Sequence, residues 1–355
     1  MATSLPTPEP TPVSADTRRP DALADAHELN PLMRRDFAVV IPALNEAPVV
    51  ADTVAALREA FERYDLAGEV LLIDDGSTDG TADIALAAAE GWSAFRVLRH
   101  RLNLGKTEAM LTAAARTSRT WMVLYDADLQ HEPDEIPRFL RRLQDGWDVV
   151  TGRKVGAYDK RRVSSVYNAL SRKIFQVPVS DLNSMKAFRR EILDGMALRH
   201  DWHRFFVVLA HARGWSVSEI DIALHPRKAG ESKYQGPGRV LVGVLDLLSV
   251  AFLLRFGRKP LLFFGVPGAA LCGLGLLTGL VALWLRFVEG FGFRPLLYLV
   301  ILLVTVGVLL VGVGFLGELV AQMRDEVEAQ RRRLGGGGEV LEPAAAAAPS
   351  AADAE

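Results

Sequence analysis

The segment that decides the fold is Trp121-Met122-Val123-Leu124-Tyr125-Asp126-Ala127-Asp128-Leu129-Gln130. Residues 121–125 form an apolar run with the length of a buried β-strand. Oxygen-bearing side chains then follow at Asp126, Asp128 and Gln130. Alternate side chains of an extended chain project to one face, so these three are expected to converge. Carboxylate and amide oxygens favour Mg²⁺ or Mn²⁺, and the pattern therefore predicts a metal site.

Short apolar runs alternate with helix-like stretches on both sides of this segment. The predicted strands are 37–41, 70–73, 95–98, 121–125 and 149–151, and the predicted helices are 47–64, 81–90 and 106–116. This alternation is typical of an α/β domain with a mostly parallel, Rossmann-like sheet. Ligands of such sheets bind beyond the carboxyl ends of the strands.

Polar pairs stand at two further strand ends, Asn45 with Glu46 and Asp74 with Asp75. Turns and helix caps are an ordinary explanation for residues of this kind. They do not explain two adjacent acids, one of which we expect to hydrogen-bond a nucleobase or a ribose. For each residue taken singly, the capping and the ligand interpretations stay open.

The stretch Gly105-Lys106-Thr107 is not a phosphate loop, because that motif requires glycine at position 100, where His100 stands. Lys106, at a predicted helix start, is still a candidate nucleotide contact. A haloacid-dehalogenase-type phosphatase is excluded as well, because Leu129-Gln130 occupy the positions of that motif's Gly/Thr or Val turn.

A basic cluster formed by Arg153, Lys154, Lys160, Arg161 and Arg162 leads into an amphipathic stretch at about 160–177. An apolar stripe beside cations favours a helix on an anionic membrane surface, although a solvated charged face is the ordinary alternative. A second basic stretch, 225–234, has the glycine and the cations of a mobile loop that closes over phosphates.

Two runs without a charged residue, 261–285 and 296–317, each exceed the roughly 20 residues that cross a bilayer core. They predict transmembrane helices at about 261–286 and 295–320, with two buried core helices as the alternative. Basic residues flank both runs on their outer sides, which predicts a cytoplasmic position for the preceding domain. The segment 238–257 is expected to be an interfacial helix, with a third span as the alternative.

The remaining composition sets limits on the function. The formal net charge of −2 argues against a general nucleic-acid binder, and the single Cys272 excludes a disulfide framework. Residues 1–35 are rich in proline and expected to be disordered. The same holds for the end of the chain, where 323–355 is expected to be a cytoplasmic helix end followed by a disordered tail.

These motifs together resemble family 2 glycosyltransferases of the GT-A fold. The resemblance rests on Val40-Ile41-Pro42-Ala43-Leu44-Asn45-Glu46, on 73–81, on Asn103-Leu104-Gly105-Lys106 and on 125–130. The stretches 181–190, 203–205, 227–234 and 255–265 are similar to polyprenyl-phosphate glycosyltransferases, which include dolichol-phosphate mannose synthase. The resemblance implies a GT-A domain at 36–235 and a two-helix transmembrane hairpin at 260–322.

The resemblance also implies roles for individual residues. The nucleotide sugar would contact Pro42, Asn45, Glu46, Asp74, Asp75, Lys106, Asp126, Arg227 and Lys233. The lipid phosphate would contact Arg153, Lys160, Arg161, Arg162, Ser164 and Ser165. Asp126, Asp128 and Gln130 would hold Mg²⁺ or Mn²⁺, and Asp128, Arg153 and Arg227 would carry the catalysis.

The implied reaction moves a sugar from a nucleotide diphosphate to a polyprenyl phosphate, with inversion, at the cytoplasmic face of the inner (plasma) membrane. A multi-pass protein in the lipid bilayer, assembled as a homo-oligomer such as a tetramer, would carry it out. The alternative is a transferase for another lipid-linked or polysaccharide hydroxyl, with Asp181 or Asp201 as its base. A processive polysaccharide synthase is a less favoured alternative, because such enzymes carry a Gln-x-x-Arg-Trp element and more spans, and this sequence shows neither. An inactive membrane scaffold is the alternative from a different class.

Overall fold

The computed structural model describes residues 22–155, 175, 177–182, 184–194, 196, 198–199, 202–225, 237–257 and 259–334. The chain forms two compact units, Met1–Leu247 and Leu248–Glu355. The strands of the first unit are β1 Phe37–Ala43, β2 Glu69–Asp74, β3 Phe95–Arg99, β4 Trp121–Leu124, β5 Val149–Val155, β6 Lys186–Arg189 and β7 Val217–Ala223.

Helices surround these strands. They are α1 Ala22–His27, α2 Ala47–Arg63, α3 Thr81–Ala88, α4 Lys106–Arg116, α5 Glu135–Gln144, α6 Glu191–Asp194, a 3₁₀ helix at Trp202–Phe205, and α7 Phe206–His211. The three helices and five strands predicted from the sequence are all present, with bounds that differ by a few residues.

The described strands form one sheet in the order β3-β2-β1-β4-β6-β5-β7. β1 pairs in parallel with β2 and β4, and β2 pairs in parallel with β3. β6 runs antiparallel between β4 and β5, while β7 is parallel to β5. The prediction of a mostly parallel α/β sheet is thus confirmed, and the reversed strand β6 is an addition to it.

Each face of the sheet is covered, as buried parallel strands require. On one face Val39, Val123 and Tyr125 join the main apolar cluster, which also includes Leu57 of α2 and Phe139 of α5. On the other face α4 packs on β1 and β2, and α7 packs on β5. Burial of a large apolar side chain contributes about 1.5–3 kcal/mol, so these two layers hold the strand ends in place.

The expectation of disorder over 1–35 is wrong for its last part. Residues Ala22–His27 form α1, and Ala26, Leu29 and Met33 are 3–4% exposed within the main apolar cluster. The guanidinium of Arg34 donates to the carbonyl oxygens of Ala26 and Tyr64. The proline-rich composition of 1–35 as a whole hides the few apolar residues that pack against the domain. Residues 1–21 lie outside the described part of the chain.

The helices that follow the sheet in the sequence are α8 Pro237–Phe256, α9 Pro260–Phe287 and α10 Arg294–Leu334. The helix predicted at 238–257 is present as α8, and its interfacial position stays a prediction. Two segments, Pro260–Phe287 and Arg294–Met323, are long and apolar enough to cross a membrane, and only 11% and 6% of their most apolar windows are buried. Their bounds agree with the two predicted transmembrane helices.

Glycines bring α9 and α10 close together. A Cβ on Gly268 would lie 2.7 Å from the carbonyl oxygen of Gly307, and one on Gly307 would lie 2.5 Å from Sγ of Cys272. Small residues at such crossings let helix backbones approach where no hydrophobic force acts between helices in lipid. This close packing fits a membrane hairpin.

Candidate functional site

The loops after β1 and β2 are joined by short hydrogen bonds. Asn45 adopts a φ of +50°, its amide donates to Ser77 Oγ at 2.9 Å, and its Oδ1 accepts from the Thr78 amide at 2.9 Å. The Glu46 amide donates to Thr81 Oγ1 at 2.9 Å. The Asn45 side chain therefore organises these loops, as the turn interpretation expects, and Asn45 is still exposed. The bond cited for Glu46 involves its backbone amide, so the role of the Glu46 side chain stays a prediction.

Asp74 and Asp75 are both buried, and each has a structural task. Asp74 accepts from Arg99 Nε at 2.7 Å and from the Ser77 amide at 2.9 Å. Asp75 accepts from the amides of Leu104 and Gly105 at 2.8 and 2.7 Å and bonds His100 Nδ1 at 2.8 Å. Asp75 thereby fixes the loop that begins α4, and nucleotide binding by either acid stays a prediction.

Gly76 lets these loops approach. Its φ is +79°, and a Cβ there would lie 2.7 Å from the carbonyl carbon of Leu102. Any side chain would therefore push the 74–79 loop away from the loop before α4. Pro42, another predicted nucleotide contact, is part-exposed and pairs in register with Ile73.

Lys106, the first residue of α4, forms an ion pair with Asp126, which follows β4. The Lys106 Nζ donates to Asp126 Oδ1. Partial burial opposes ionisation of Asp126, but the ammonium of Lys106, with smaller contributions from His131 and Lys186, holds the pKa of that carboxyl well below its usual range. Asp126 is accordingly a carboxylate throughout the physiological pH range.

The segment after β4 is not extended, contrary to expectation. The strand ends at Leu124, residues 127–128 form a turn, and Leu129 has a φ of +52°. Asp128 Oδ1 accepts from the Gln130 amide at 3.2 Å, and such local bonding competes with strand geometry. Simple alternation of side chains therefore does not govern the positions of Asp126, Asp128 and Gln130.

The donor set of this turn still suits a hard divalent cation. It offers the part-exposed carboxylate of Asp126, the buried carboxylate of Asp128 and the amide of Gln130, all oxygen ligands of the kind that Mg²⁺ and Mn²⁺ take. Over the described ranges, groups of three or more His, Cys, Asp or Glu that could hold a metal ion are not found. The assignment of these three residues as ligands stays a prediction.

Gln130, at the end of the turn, is hydrogen-bonded to His225, the first residue of the second basic stretch. The His225 amide donates to the Gln130 carbonyl at 2.9 Å, and Gln130 Nε2 donates to the His225 carbonyl at 3.4 Å. The predicted phosphate contacts Arg227 and Lys233 follow at once, outside the described residues.

His203 supports α4 from the opposite side. It is 5% exposed, its amide donates to Thr107 Oγ1 at 3.2 Å, and its Nδ1 lies 3.3 Å from the same oxygen. Burial, strengthened by the charges of Lys106 and Lys186, lowers the pKa of His203 well below its ordinary value. The imidazole is neutral at pH 7 and acts as a support for the helix start.

Arg153, the predicted lipid-phosphate contact, forms a bidentate ion pair with Asp221 of β7. Its Nε and Nη2 donate to the two carboxylate oxygens at 2.5 and 2.7 Å. The hydrogen bonds that Arg153 donates to Asp221 raise the pKa of its guanidinium above the ordinary value. The other members of this predicted group, Lys160, Arg161, Arg162, Ser164 and Ser165, lie outside the described residues, as does most of the amphipathic stretch.

Sequence reasoning missed Lys186, the first residue of β6. Its side chain is 1% exposed, yet it belongs to a charged group that includes Asp181 and Lys154. Glu219 of β7 holds the turn that carries Asp181 by accepting from the Ser180 and Asp181 amides at 2.7 and 3.0 Å. The available signal was a lysine within the short apolar run Met185-Lys186-Ala187-Phe188.

The family pattern described as "Glycosyl transferase family 2" matches residues 38–209. The chain is 32% identical over 308 residues to dodecaprenyl-phosphate galacturonate synthase of Rhizobium johnstonii, covering 82% of this chain and 90% of that protein. It is 29% identical over 306 residues to undecaprenyl-phosphate 4-deoxy-4-formamido-L-arabinose transferase of Aeromonas hydrophila, covering 83% and 91%. The chain belongs to glycosyltransferase family 2.

Solved structures agree on the fold. Glucosyl-3-phosphoglycerate synthase from Mycobacterium tuberculosis, in complex with Mn²⁺, UDP and phosphoglyceric acid, matches with a TM-score of 0.54 and 18% identity, over 68% of this chain and 86% of that chain. The same enzyme with Mg²⁺ and UDP matches with a TM-score of 0.51 over 66% and 82%. The predicted GT-A fold is confirmed.

The neutral His203 predicts a pH dependence of stability. Because its folded pKa is depressed, the unfolded chain binds the proton more readily below about pH 6.5, so stability falls as the pH drops through that value, by at most about 1.4 kcal/mol per pH unit. Thermal unfolding in detergent at pH 7.5 and 5.5 should show a smaller acid loss in His203→Asn than in the wild type.

Thr107→Val is the matched control, since it removes the same hydrogen bonds and keeps the imidazole. It should lower stability at both pH values and retain the acid loss. Equal acid losses in His203→Asn and the wild type would contradict the neutral, buried state of His203.

Proposed function

We propose that this chain transfers a sugar from a nucleotide-diphosphate sugar to a polyprenyl phosphate. The observation that carries the proposal is the ion pair of Asp126 with Lys106 at the carboxyl edge of the sheet, next to Asp128. Such a site suits a metal-bound diphosphate. Relatives similar over most of the chain are named as transferases or synthases of undecaprenyl-phosphate and dodecaprenyl-phosphate sugars.

The donor side of the site would be built around the strand ends. Mg²⁺ or Mn²⁺ held by Asp126, Asp128 and Gln130 would neutralise the charge that develops on the leaving diphosphate. Lys106 would bind the diphosphate beside it. Pro42, Asn45 and Glu46 are not fully buried, which suits contact with the nucleoside.

Asp74 and Asp75 are proposed to help bind the donor, partly by fixing the loops that surround it. Their buried carboxylates accept five hydrogen bonds from neighbouring loop and strand residues. Arg227 and Lys233 are proposed to contact the phosphates from the second basic stretch, which begins next to Gln130.

The acceptor phosphate needs little activation. One of its oxygens attacks the anomeric carbon as the bond from that carbon to the diphosphate breaks and the electron pair leaves with the diphosphate. A phosphate is already ionised near neutral pH, so no strong general base is required. Catalysis then depends on positioning and charge neutralisation, and attack from the side opposite the leaving group gives inversion.

Arg153 is proposed to bind the acceptor phosphate together with Lys160, Arg161, Arg162, Ser164 and Ser165. Its guanidinium is about one-third exposed and is held in a fixed direction by Asp221. A planar, oriented guanidinium is well suited to phosphate oxygens.

The two apolar helices support a membrane protein. We infer a multi-pass protein of the inner membrane whose catalytic unit is cytoplasmic, because basic residues flank both helices on the same side. A homo-oligomer such as a tetramer is the proposed assembly.

The proposal is tested by incubating purified protein with Mg²⁺ or Mn²⁺, undecaprenyl phosphate and a panel of nucleotide sugars. One donor should give a chloroform-soluble sugar product, and Asp128→Ala should reduce its formation at least about a hundredfold, as expected when charge stabilisation in the transition state is lost.

Asp134→Ala is the matched control, because it removes an aspartate that pairs with Arg63 on the surface. It should keep the activity, since exposed pairs of this kind contribute only about 0–1 kcal/mol. Absence of a lipid product with every donor, or full activity of Asp128→Ala, would refute the proposal.

Arg153→Met should raise the KM for undecaprenyl phosphate by about tenfold or more, the loss expected for a charge-assisted hydrogen bond to phosphate. The KM for the donor should change little. Asp221→Asn is the control, because it weakens the same ion pair and leaves the guanidinium in place. Equal acceptor KM values in the two variants would show that Arg153 acts only through the fold.

A further inference from the structure

Lys186 occupies an unusual place for a lysine, inside the central sheet. It is the register partner of Leu124 on β4 and of Thr151 on β5. Cross-strand partners project from the same face, so its side chain enters the layer between the sheet and the helices that include α4. The side chain is only 1% exposed there.

The ammonium has little hydrogen bonding within the described residues. Among these residues it donates to the Leu182 carbonyl oxygen, at the long distance of 3.3 Å. An ammonium offers three donors, and a buried one that is poorly paired costs several kcal/mol in lost hydration. Packing alone gives no reason for a lysine, because methionine has nearly the same length and shape.

The charges around Lys186 do not balance it. The carboxylates of Asp126 and Asp181 attract its ammonium, while Lys106 and Lys154 repel it. Lys106 is already paired with Asp126, and Lys154 lies 3.9 Å from Asp181. Among the described residues, this group of three ammoniums and two carboxylates has one positive charge in excess.

Asp128 adds a carboxylate nearby, but it belongs with Asp126 to the proposed ligands of a divalent cation, whose charge more than offsets it. The neutral His203 adds no charge of its own. With Lys186 protonated, the positive excess among the described residues therefore persists when the metal is bound, and an anion would offset it.

The position of this excess positive charge indicates which anion would offset it. Lys106 and Asp126 belong to the proposed donor side, while Lys154 follows Arg153 of the proposed acceptor side. Lys186 is acted on by the charges of both sides. The anions that the proposed reaction brings to this place are the diphosphate of the donor and the phosphate of the acceptor.

We propose that Lys186 is a binding residue whose ammonium takes a substrate phosphate as its counter-ion. The inference rests on the proposed function and adds Lys186 to the residues proposed to bind phosphate. The ammonium is a cost to the free protein and a benefit to the complex, and Lys186 is therefore retained for binding and not for folding.

The titration of the side chain supports this view. Burial, with the repulsion from Lys106 and Lys154, lowers the pKa of Lys186 to about 7. Such a depression is typical of a buried lysine without a sufficient counter-ion.

The test compares the full-length wild type with Lys186→Met in detergent, by thermal unfolding, by calorimetric titration of UDP and GDP with Mn²⁺ present, and by the KM for undecaprenyl phosphate. The variant should be as stable as the wild type or more stable. The affinity for the nucleotide that the wild type binds should fall about ten- to hundredfold, the effect of one buried charge-assisted hydrogen bond.

Arg189→Met is the matched control, a cation removed from the other end of the same strand. Arg189 Nε donates to Asp148 at 2.9 Å, and the guanidinium lies 4.6 Å from the Trp121 ring centroid. This variant should lose stability and keep its nucleotide affinity, the reverse of the Lys186→Met result.

The outcomes separate the sources of the phosphate. A loss of nucleotide affinity assigns the ammonium to the donor, and a rise only in the KM for undecaprenyl phosphate assigns it to the acceptor. If neither changes, or if Lys186→Met does not fold, the inference is overturned. A wild type that binds neither UDP nor GDP and makes no lipid product overturns the proposed function as well.

Discussion

The ion pair between Lys106 and Asp126 is the interaction on which the rest of the site depends. It joins the start of α4 to the segment that follows β4, at the carboxyl edge of the sheet. Asp75 holds the approach to α4 through two backbone amides, and His203 holds Thr107 next to Lys106. The carboxylate at the centre of the site is thus kept ionised by a cation that the fold itself positions.

The main sheet could be predicted because its strands are continuous apolar runs that end in polar residues. Segment 121–130 shows both the success and the limit of this reasoning. The strand and its acidic end were predicted, but the turn at 127–128 was not, because the bond from Asp128 to the Gln130 amide is decided by local geometry. Alternation in a sequence assumes a straight strand, and a short polar side chain is enough to end one.

The parts that escaped prediction depend on contacts between distant segments. The strand β6 has four residues and begins with Lys186, so its apolar signal is weak. The carboxylate of Glu219 organises Ser180 and Asp181, 39 and 38 residues earlier in the chain. Asp74 and Asp75 were recognised as important, yet their bonds to Arg99 and to the loop before α4 could be seen only in the folded chain.

The account as a whole claims that this strand end binds a metal together with the diphosphate of a sugar nucleotide. Electron paramagnetic resonance of Mn²⁺, recorded with and without UDP or GDP on the wild type and on Gln130→Leu, tests this claim most directly. The account predicts one tight Mn²⁺ per chain that appears with the nucleotide, carries phosphorus hyperfine couplings and is weakened in the variant. Mn²⁺ bound equally well by both proteins, or bound without phosphorus couplings, would contradict it.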